Sequence, residues 1–302
     1  MASARARELW ASFVVEPKSL ELDLRAQREV GEHHEDRTSE PEHVVFEPAP
    51  EVDGLWAIPT LLEQREPPRS GLYLHGGGYI TGSPAARRKT AGHIAHATSA
   101  RVLVPSYRLA PEHRFPAAVQ DALHAYELLL SRDARSERTF IAGDSSGGGL
   151  AVATLLAAQQ ANVPLPAACV VISPWADLLC SGESMTRRAK ADVIVARENL
   201  LHMAEQYLGA QDAHEPLASP VFAKLDGLCP LLALVGGDEI VRDDAARLVC
   251  GFSAGGADAT LFVGGGMQHI WPTWVGALPE ADEAMAMVGA WVRAHTGALR
   301  TV

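Results

Sequence analysis

A serine flanked by glycines, between a strand-like run and a helix-like run, most constrains the fold of this 302-residue chain. The apolar run Thr139–Ala142 precedes Gly143–Gly147, which reads Gly-Asp-Ser-Ser-Gly, and a stretch of small residues with helical character follows. A buried strand that turns sharply into a helix is typical of a parallel sheet covered by helices. Glycine at both ends of the turn avoids side-chain clashes. The pattern therefore predicts that Ser145 lies above a sheet edge.

Short β-rich runs alternate with helical patterns along most of the chain. The predicted strands cover residues 43–46, 54–58, 71–74, 101–107, 139–142, 168–173, 231–235 and 260–263. Helical patterns cover residues 85–98, 116–131, 147–161, 242–254 and 281–295. This order predicts an α/β fold with a mostly parallel eight-stranded sheet and helices on both faces, built as a single domain over residues 1–302.

Two segments depart from this alternation, and we predict that they form a small helical cap. Residues 1–40 contain two helical stretches separated by Pro17. Residues 178–215 form a charge-rich insert between two predicted strands, with a helix expected around Arg197–Tyr207. Both segments could cover a site at the strand ends, and the alternative for the first segment is a pair of ordinary surface helices.

Composition and charge exclude several classes of protein. With 47% hydrophobic and 21% charged residues, the chain is globular rather than disordered. A net charge of −11 argues against nucleic acid as a partner.

No run reaches the roughly 18 apolar residues of a membrane span, and no signal peptide is evident, so we expect a cytoplasmic protein. The four cysteines form no CxxC pair, and we predict no metal. A homodimer is left open.

A second glycine-rich motif, His75–Gly78, directly follows the apolar run Leu72–Leu74. Consecutive glycines let backbone N–H groups approach a ligand closely, and such donors can stabilise the oxyanion of an acyl-transfer intermediate. A flexible turn would explain this motif alone. Its place at the end of another strand, about 70 residues before Ser145, favours a functional role.

A serine nucleophile needs a general base, and the base needs a carboxylate that orients it. His269 is the candidate base because it follows a predicted strand and a glycine loop. The other histidines after Ser145 fall in predicted helices or in the tail of the insert: His202, His214 and His295.

The orienting acid is expected after the strand Leu231–Val235, and we predict Asp238, the first carboxylate beyond the turn. Glu239 is the closest rival and is interpreted as a surface or supporting residue. Asp243 and Asp244 open the next helix, where they are better explained as N-terminal caps.

These ordered motifs resemble the hormone-sensitive-lipase-like (bacterial family IV) esterases of the α/β-hydrolase fold. The resemblance extends over about residues 70–295 and is carried by residues 75–79, 107–113, 115–118, 143–148, 173–174, 237–239 and 266–269. It implies a catalytic triad of Ser145, Asp238 and His269. It also implies an oxyanion hole built from backbone N–H groups of Gly77, Gly78 and Ser146.

The remaining motif residues are expected to support this site. His75, Gly76 and Asp144 belong to the two motifs, and the resemblance implies that the stretch 107–113 braces the site without taking part in catalysis. The family usually has alanine where this chain has Ser146. The oxyanion donor is a backbone group, so its role is expected to survive this difference.

The expected reaction is hydrolysis of short-to-medium acyl esters through an acyl-enzyme, without a cofactor. Tyr79, Trp271 and Trp274 are predicted to line an apolar pocket, although the tryptophans could instead pack only against the last helix. The alternatives for function are a lactone hydrolase acting on terpene-derived or similar lactones, an amidase, and a hydrolase fold that binds ligands without catalysis.

Overall fold

A computed structural model describes residues 2–13, 23–61, 69–132 and 135–297. The strands are β1 Val44–Ala49, β2 Gly54–Pro59, β3 Arg69–Leu74, β4 Ala100–Val104, β5 Thr139–Asp144, β6 Ala168–Ile172, β7 Leu231–Gly236 and β8 Ala259–Gly264. They form one eight-stranded sheet in the order β1-β2-β4-β3-β5-β6-β7-β8. Only the pairs β1–β2 and β2–β4 are antiparallel. The predicted mostly parallel sheet is confirmed.

The helices in the described residues are α1 Ala4–Phe13, α2 Leu24–Glu32, α3 Arg88–Thr98, α4 Ala117–Ser131, α5 Ser146–Gln160, α6 Ser184–Arg187, α7 Arg197–Leu208, α8 Arg242–Ala254 and α9 Pro279–His295. Each of the five helical patterns predicted between strands corresponds to one of them: α3, α4, α5, α8 and α9. None of the helices described here combines the length and apolar character that crossing a bilayer requires.

The sheet is buried on both faces, which explains why its central strands are continuous apolar runs. In β7, Leu231 and Ala233 pack into a core with α4, α5 and α8, whereas Leu232 and Leu234 pack into a second core with α3 and α9. Because side chains alternate across a strand, one apolar run supplies both cores. Parallel strands β3, β5, β7 and β8 therefore present their carboxyl-end loops at the same sheet edge.

The two N-terminal helices lie in different places. The side chain of Trp10 in α1 packs against Trp274, with ring centroids 4.9 Å apart. Helix α2 is held by Arg28, which donates hydrogen bonds to the carbonyl of Ile80 and to the carboxylate of Glu112. Pro17, predicted to separate the two helices, lies outside the described residues. The helix expected in the insert is present as α7.

Candidate active site

Ser145 occupies the turn between β5 and α5 with φ of 52° and ψ of −123°, a conformation that non-glycine residues rarely adopt. A Cβ atom added to Gly143 would lie 2.1 Å from the carbonyl oxygen of Gly147. One added to Gly147 would lie 2.1 Å from the carbonyl oxygen of Leu74. Both positions therefore require glycine, and the turn holds the serine hydroxyl above the sheet edge.

His269 contacts the serine and a carboxylate through its two ring nitrogens. Its Nε2 atom lies 2.9 Å from Ser145 Oγ, and its Nδ1 atom lies 2.9 Å from Glu239 Oε2. Histidine and glutamate are both buried. An ionised carboxylate only accepts hydrogen bonds, so Nδ1 carries the ring proton and donates it to Glu239. This tautomer leaves Nε2 free to accept the proton of the serine hydroxyl.

The carboxylate beside His269 belongs to Glu239, and the prediction that Asp238 occupies this place is wrong. The Asp238 side chain is 34% exposed, and its Oδ1 atom lies 3.7 Å from Nη1 of Arg188. After β7, the N–H of Gly237 donates to the carbonyl of Gly264, and the N–H of Asp238 donates to that of Met267. These bonds hold the turn so that residue 239 faces the histidine loop and residue 238 faces solvent.

Ser173 joins the carboxylate to the histidine loop. Its Oγ atom donates to Glu239 Oε1 at 2.6 Å and accepts from the N–H of Ile270 at 2.9 Å. The carboxylate therefore has partners on both oxygens. Burial lowers the pKa of His269, whereas the hydrogen bond and charge of Glu239, together with the charges of Asp192 and Asp144, raise it, and the net change is a rise.

The glycine loop after β3 lies beside Ser145. Gly77 and Gly78 adopt positive φ values of 124° and 62°, which favour glycine. In the described part of the chain, no acceptor is paired with the backbone N–H of Gly77, Gly78 or Ser146. Ser146 is also the first residue of α5, where the helix dipole favours negative charge. These N–H groups can therefore donate to a substrate oxygen.

The supporting motif residues connect this loop to the serine turn. Asp144 Oδ1 accepts hydrogen bonds from the Tyr73 hydroxyl at 2.5 Å and from the N–H of Gly76 at 2.9 Å. The Tyr107 hydroxyl donates to the carbonyl of His75 at 2.7 Å, and the two rings stack 4.3 Å apart. Burial lowers the pKa of His75 to about 4, so its ring is neutral near pH 7.

A cavity of about 480 Å³ opens above Ser145 and His269. One wall, called here the α2 wall, comes from α2 and from the chain before α3: Gln27, Val30, Gly31, His34, Thr81 and Arg87. The facing wall, called here the α7 wall, comes from the insert and α7: Ile194, Val195, Asn199, Leu200 and Met203. Both predicted cap segments thus contribute to the cavity lining, although α1 does not.

The three predicted pocket residues do not line this cavity, and that prediction is wrong. Tyr79 is buried against the Tyr207 ring at a centroid distance of 3.9 Å. The chain turns at Ile270, where φ is 53°, and Trp271 and Trp274 then face the core between the sheet and α9. The two tryptophans therefore pack in the core beside the last helix, in agreement with the alternative interpretation of these residues. No sequence motif identified the residues of the α2 and α7 walls.

A strained serine, an imidazole and a carboxylate joined in this order, beside unpaired N–H groups, define a serine hydrolase. A family model described as the α/β-hydrolase fold matches residues 71–273, well over half of the chain. The chain therefore belongs to the α/β-hydrolase fold family.

Several known proteins resemble this chain over most of its length. An acetyl-hydrolase of Streptomyces hygroscopicus is 40% identical over 293 residues, which cover 92% of this chain and 98% of that protein. The putative acetyl-hydrolase LipR of Mycobacterium tuberculosis is 36% identical over 226 residues, covering 74% of this chain and 72% of LipR.

Solved structures of esterases also superpose closely on this chain. An esterase of the bacterial hormone-sensitive lipase family superposes with a TM-score of 0.90 at 36% identity, covering 98% of this chain and 100% of that one. The esterase EstE5 superposes with a TM-score of 0.93 at 36% identity and the same coverage. The predicted resemblance to hormone-sensitive-lipase-like serine carboxylesterases is confirmed.

Proposed function

We propose that this enzyme hydrolyses short-to-medium acyl esters, acetyl esters among them, through an acyl-enzyme on Ser145. The observation that carries the proposal is the pair of 2.9 Å contacts by which His269 joins Ser145 to Glu239. We assign Ser145 as nucleophile, His269 as general base and acid, and Glu239 as the residue that orients the imidazole.

In the acylation step, Ser145 Oγ attacks the ester carbonyl carbon while its proton moves to His269 Nε2. Glu239 holds the Nδ1 proton and stabilises the imidazolium that forms. The carbonyl oxygen becomes an oxyanion and receives hydrogen bonds from the N–H groups of Gly77, Gly78 and Ser146. Loss of one such donor typically costs roughly 10²–10³ in rate.

Collapse of this intermediate breaks the bond between the acyl carbon and the alcohol oxygen. His269 Nε2 gives its proton to that oxygen, so a neutral alcohol leaves and Ser145 carries the acyl group. Water then attacks the acyl carbon, with His269 taking its proton, and a second collapse releases the carboxylic acid and restores Ser145. None of these steps calls for a redox or metal partner.

The size and lining of the cavity support small substrates. A volume of about 480 Å³ falls in the range of small-molecule pockets, and the α7 wall contains Ile194, Leu200 and Met203. We infer acyl chains of about two to eight carbons. The related proteins named above are acetyl-hydrolases and esterases, and one EstE5 structure was obtained after soaking with p-nitrophenyl butyrate. These names favour open-chain esters over lactones.

We further propose that α2 and the segment 194–203 act together as the cap of a single domain, excluding water from the acyl-enzyme. The cytoplasmic location, the homodimer and the absence of a nucleic-acid partner stay predictions.

The direct test compares wild type with Ser145→Ala on p-nitrophenyl acetate and butyrate. Because Ser145 supplies the nucleophile, we expect kcat/KM to fall by roughly 10³-fold or more. Ser131→Ala is the matched control, since Ser131 is an exposed serine on the far end of α4 and its substitution should leave activity unchanged. Equal activity in Ser145→Ala and wild type would overturn the assignment. Inactivity of the wild type itself would favour the non-catalytic alternative.

A further inference from the structure

The α2 wall contains a buried cation that the mechanism above does not use. Arg87 lines the cavity together with Ser145 and His269, and its side chain is almost fully buried, the residue being only 4% exposed. Its Nε and Nη1 atoms are buried and have no hydrogen-bond partner among the described residues. Buried guanidinium donors without an acceptor carry a free-energy penalty, which a rotation of the side chain toward an acceptor oxygen bound in the cavity would offset.

The charge of Arg87 is already balanced by nearby acids. Burial lowers the pKa of Arg87, but nearby groups, the carboxylates of Asp144 and Glu35 among them, raise it, and the net change is a rise, so the guanidinium stays charged. Neither acid forms a hydrogen bond with Arg87 within the described residues. Glu35 Oε2 accepts from the N–H of Lys89 at 2.7 Å, and Oε1 accepts from the N–H of Thr90 at 3.0 Å. Arg87 therefore has counter-charges, but among the described residues its Nε and Nη1 atoms lack acceptors.

Arg87 lies close to the reacting centre. Arg87 and His34 line the same cavity as Ser145 and His269. Burial first, and then the charges of Arg87 and His269, lower the pKa of His34 well below its usual range. His34, Gln27 and Thr81 make the α2 wall polar, whereas the α7 wall is mainly aliphatic. A substrate bound at Ser145 would extend one of its substituents along the polar wall.

We propose that Arg87 is a specificity-determining residue that donates hydrogen bonds to a neutral acceptor oxygen, such as a ketone or amide carbonyl, on one side of the scissile ester. The inference rests on the proposed ester hydrolysis and narrows its substrate class to esters that carry a second carbonyl function. A neutral acceptor fits better than a carboxylate because Asp144 and Glu35 already compensate the guanidinium, and a third negative charge would meet their repulsion.

The test uses pairs of esters in which a methyl group takes the place of that carbonyl oxygen. On the acyl side, ethyl 4-oxopentanoate is compared with ethyl 4-methylpentanoate. On the alcohol side, 4-oxopentyl acetate is compared with 4-methylpentyl acetate. Monoethyl succinate supplies the carboxylate. For wild type and each variant, kcat/KM is measured by pH-stat titration. The kcat/KM for the oxo ester is then divided by that for the methyl ester, and this oxo-to-methyl ratio does not depend on the fraction of folded enzyme.

We expect wild type to prefer the oxo ester in at least one pair. Arg87→Met should lower the oxo-to-methyl ratio of kcat/KM for that pair by about tenfold to a hundredfold, which is the effect expected for one charge-assisted hydrogen bond. Arg88→Met is the matched control, because Arg88 is partly exposed and bonds to Glu40, and it should keep the wild-type ratio. If Arg87→Met does not fold, Arg87→Lys keeps the charge but not the planar fork, and its ratio should fall severalfold.

Three results would overturn the inference: a wild-type ratio near one in both pairs, a ratio that Arg87→Met (or, failing that, Arg87→Lys) leaves unchanged, or a preference for monoethyl succinate over both neutral acyl esters. Turnover of ethyl 4-methylpentanoate by wild type would uphold the proposed ester hydrolysis in each case. Absence of turnover on every ester would contradict the proposed function itself.

Discussion

The sheet edge and the walls of the cavity are built in different ways. At the sheet edge, Ser145 is held in a rare backbone conformation between glycines with no space for a side chain, and His269 has buried partners on both ring nitrogens. The α2 wall instead rests on a helix anchored through Arg28, whose ion pair with Glu112 is partly exposed. We therefore expect the reaction to depend on rigid local geometry, and the choice of substrate to depend on helices that lie far from this edge in the sequence.

Among the substitutions that distinguish the sheet edge from the cavity walls, we expect Gly147→Ala at the sheet edge to have the largest effect on kcat/KM. The added Cβ would lie 2.1 Å from the carbonyl oxygen of Leu74 and 2.5 Å from that of His75, so the glycine loop and the serine turn must separate. We expect kcat/KM to fall by roughly 10²-fold or more for acetyl and octanoyl esters alike, because the oxyanion donors move from their place.

Gly251→Ala is the control for this substitution. Gly251 lies inside α8, where alanine is favoured, and its added Cβ would meet only the side chain of Leu225, whose terminal Cδ1 atom is the nearest at 2.6 Å. Steady-state rates on p-nitrophenyl acetate and octanoate measure both variants. A loss in Gly147→Ala restricted to the longer ester would contradict the division between the two regions.

A smaller effect is expected from Leu200→Ala in the α7 wall. Leu200 lines the cavity, and removing three carbon atoms enlarges the space for an acyl chain. We expect the ratio of kcat/KM for octanoate to that for acetate to rise about threefold to tenfold, a change of the size that one or two methylene contacts produce. A panel of p-nitrophenyl esters from two to eight carbons measures the shift.

Leu208→Ala, on the same helix but packed in the core away from the cavity, is the matched control. It should lower the thermal midpoint of unfolding to a similar degree without changing chain-length preference. An equal shift of preference in both variants would mean that α7 affects the site through general loosening of the cap.

The same division explains what could be predicted from the sequence. Continuous apolar runs and the glycines of the strand-turn-helix unit are local signals, and they located the strands and the sheet-edge positions of Ser145, His269 and the glycine loop. The cap segments were recognisable because they interrupt the alternation. The individual residues that line the cavity were not, since Arg87 and Leu200 come to the same cavity only through the packing of separate segments over the sheet.

The two wrong predictions, for the orienting carboxylate and for the pocket residues, have a related cause. Asp238 and Glu239 are neighbours, and which of them faces His269 is decided by hydrogen bonds from the β7 turn to the loop after β8. Spacing along the chain cannot resolve a difference of one residue across two strands. Tyr79, Trp271 and Trp274 lie next to motif residues, which favours a place in the pocket, but the backbone turn at Ile270, with its positive φ, directs the two tryptophans into the core.

The most direct test of the central claim is a pH profile of kcat/KM for Glu239→Gln beside Asp238→Asn. In the proposed mechanism neutral His269 is the base, and Glu239 raises its pKa, so activity is expected to be lost as pH falls through that pKa. Glu239→Gln should therefore lower kcat/KM by roughly 10²–10⁴-fold and move the acid limb to lower pH, because the imidazole loses its charged partner and its fixed tautomer. Asp238→Asn should leave both kcat/KM and the acid limb of the pH profile close to those of wild type. A large loss in Asp238→Asn with near-normal activity in Glu239→Gln would contradict the account.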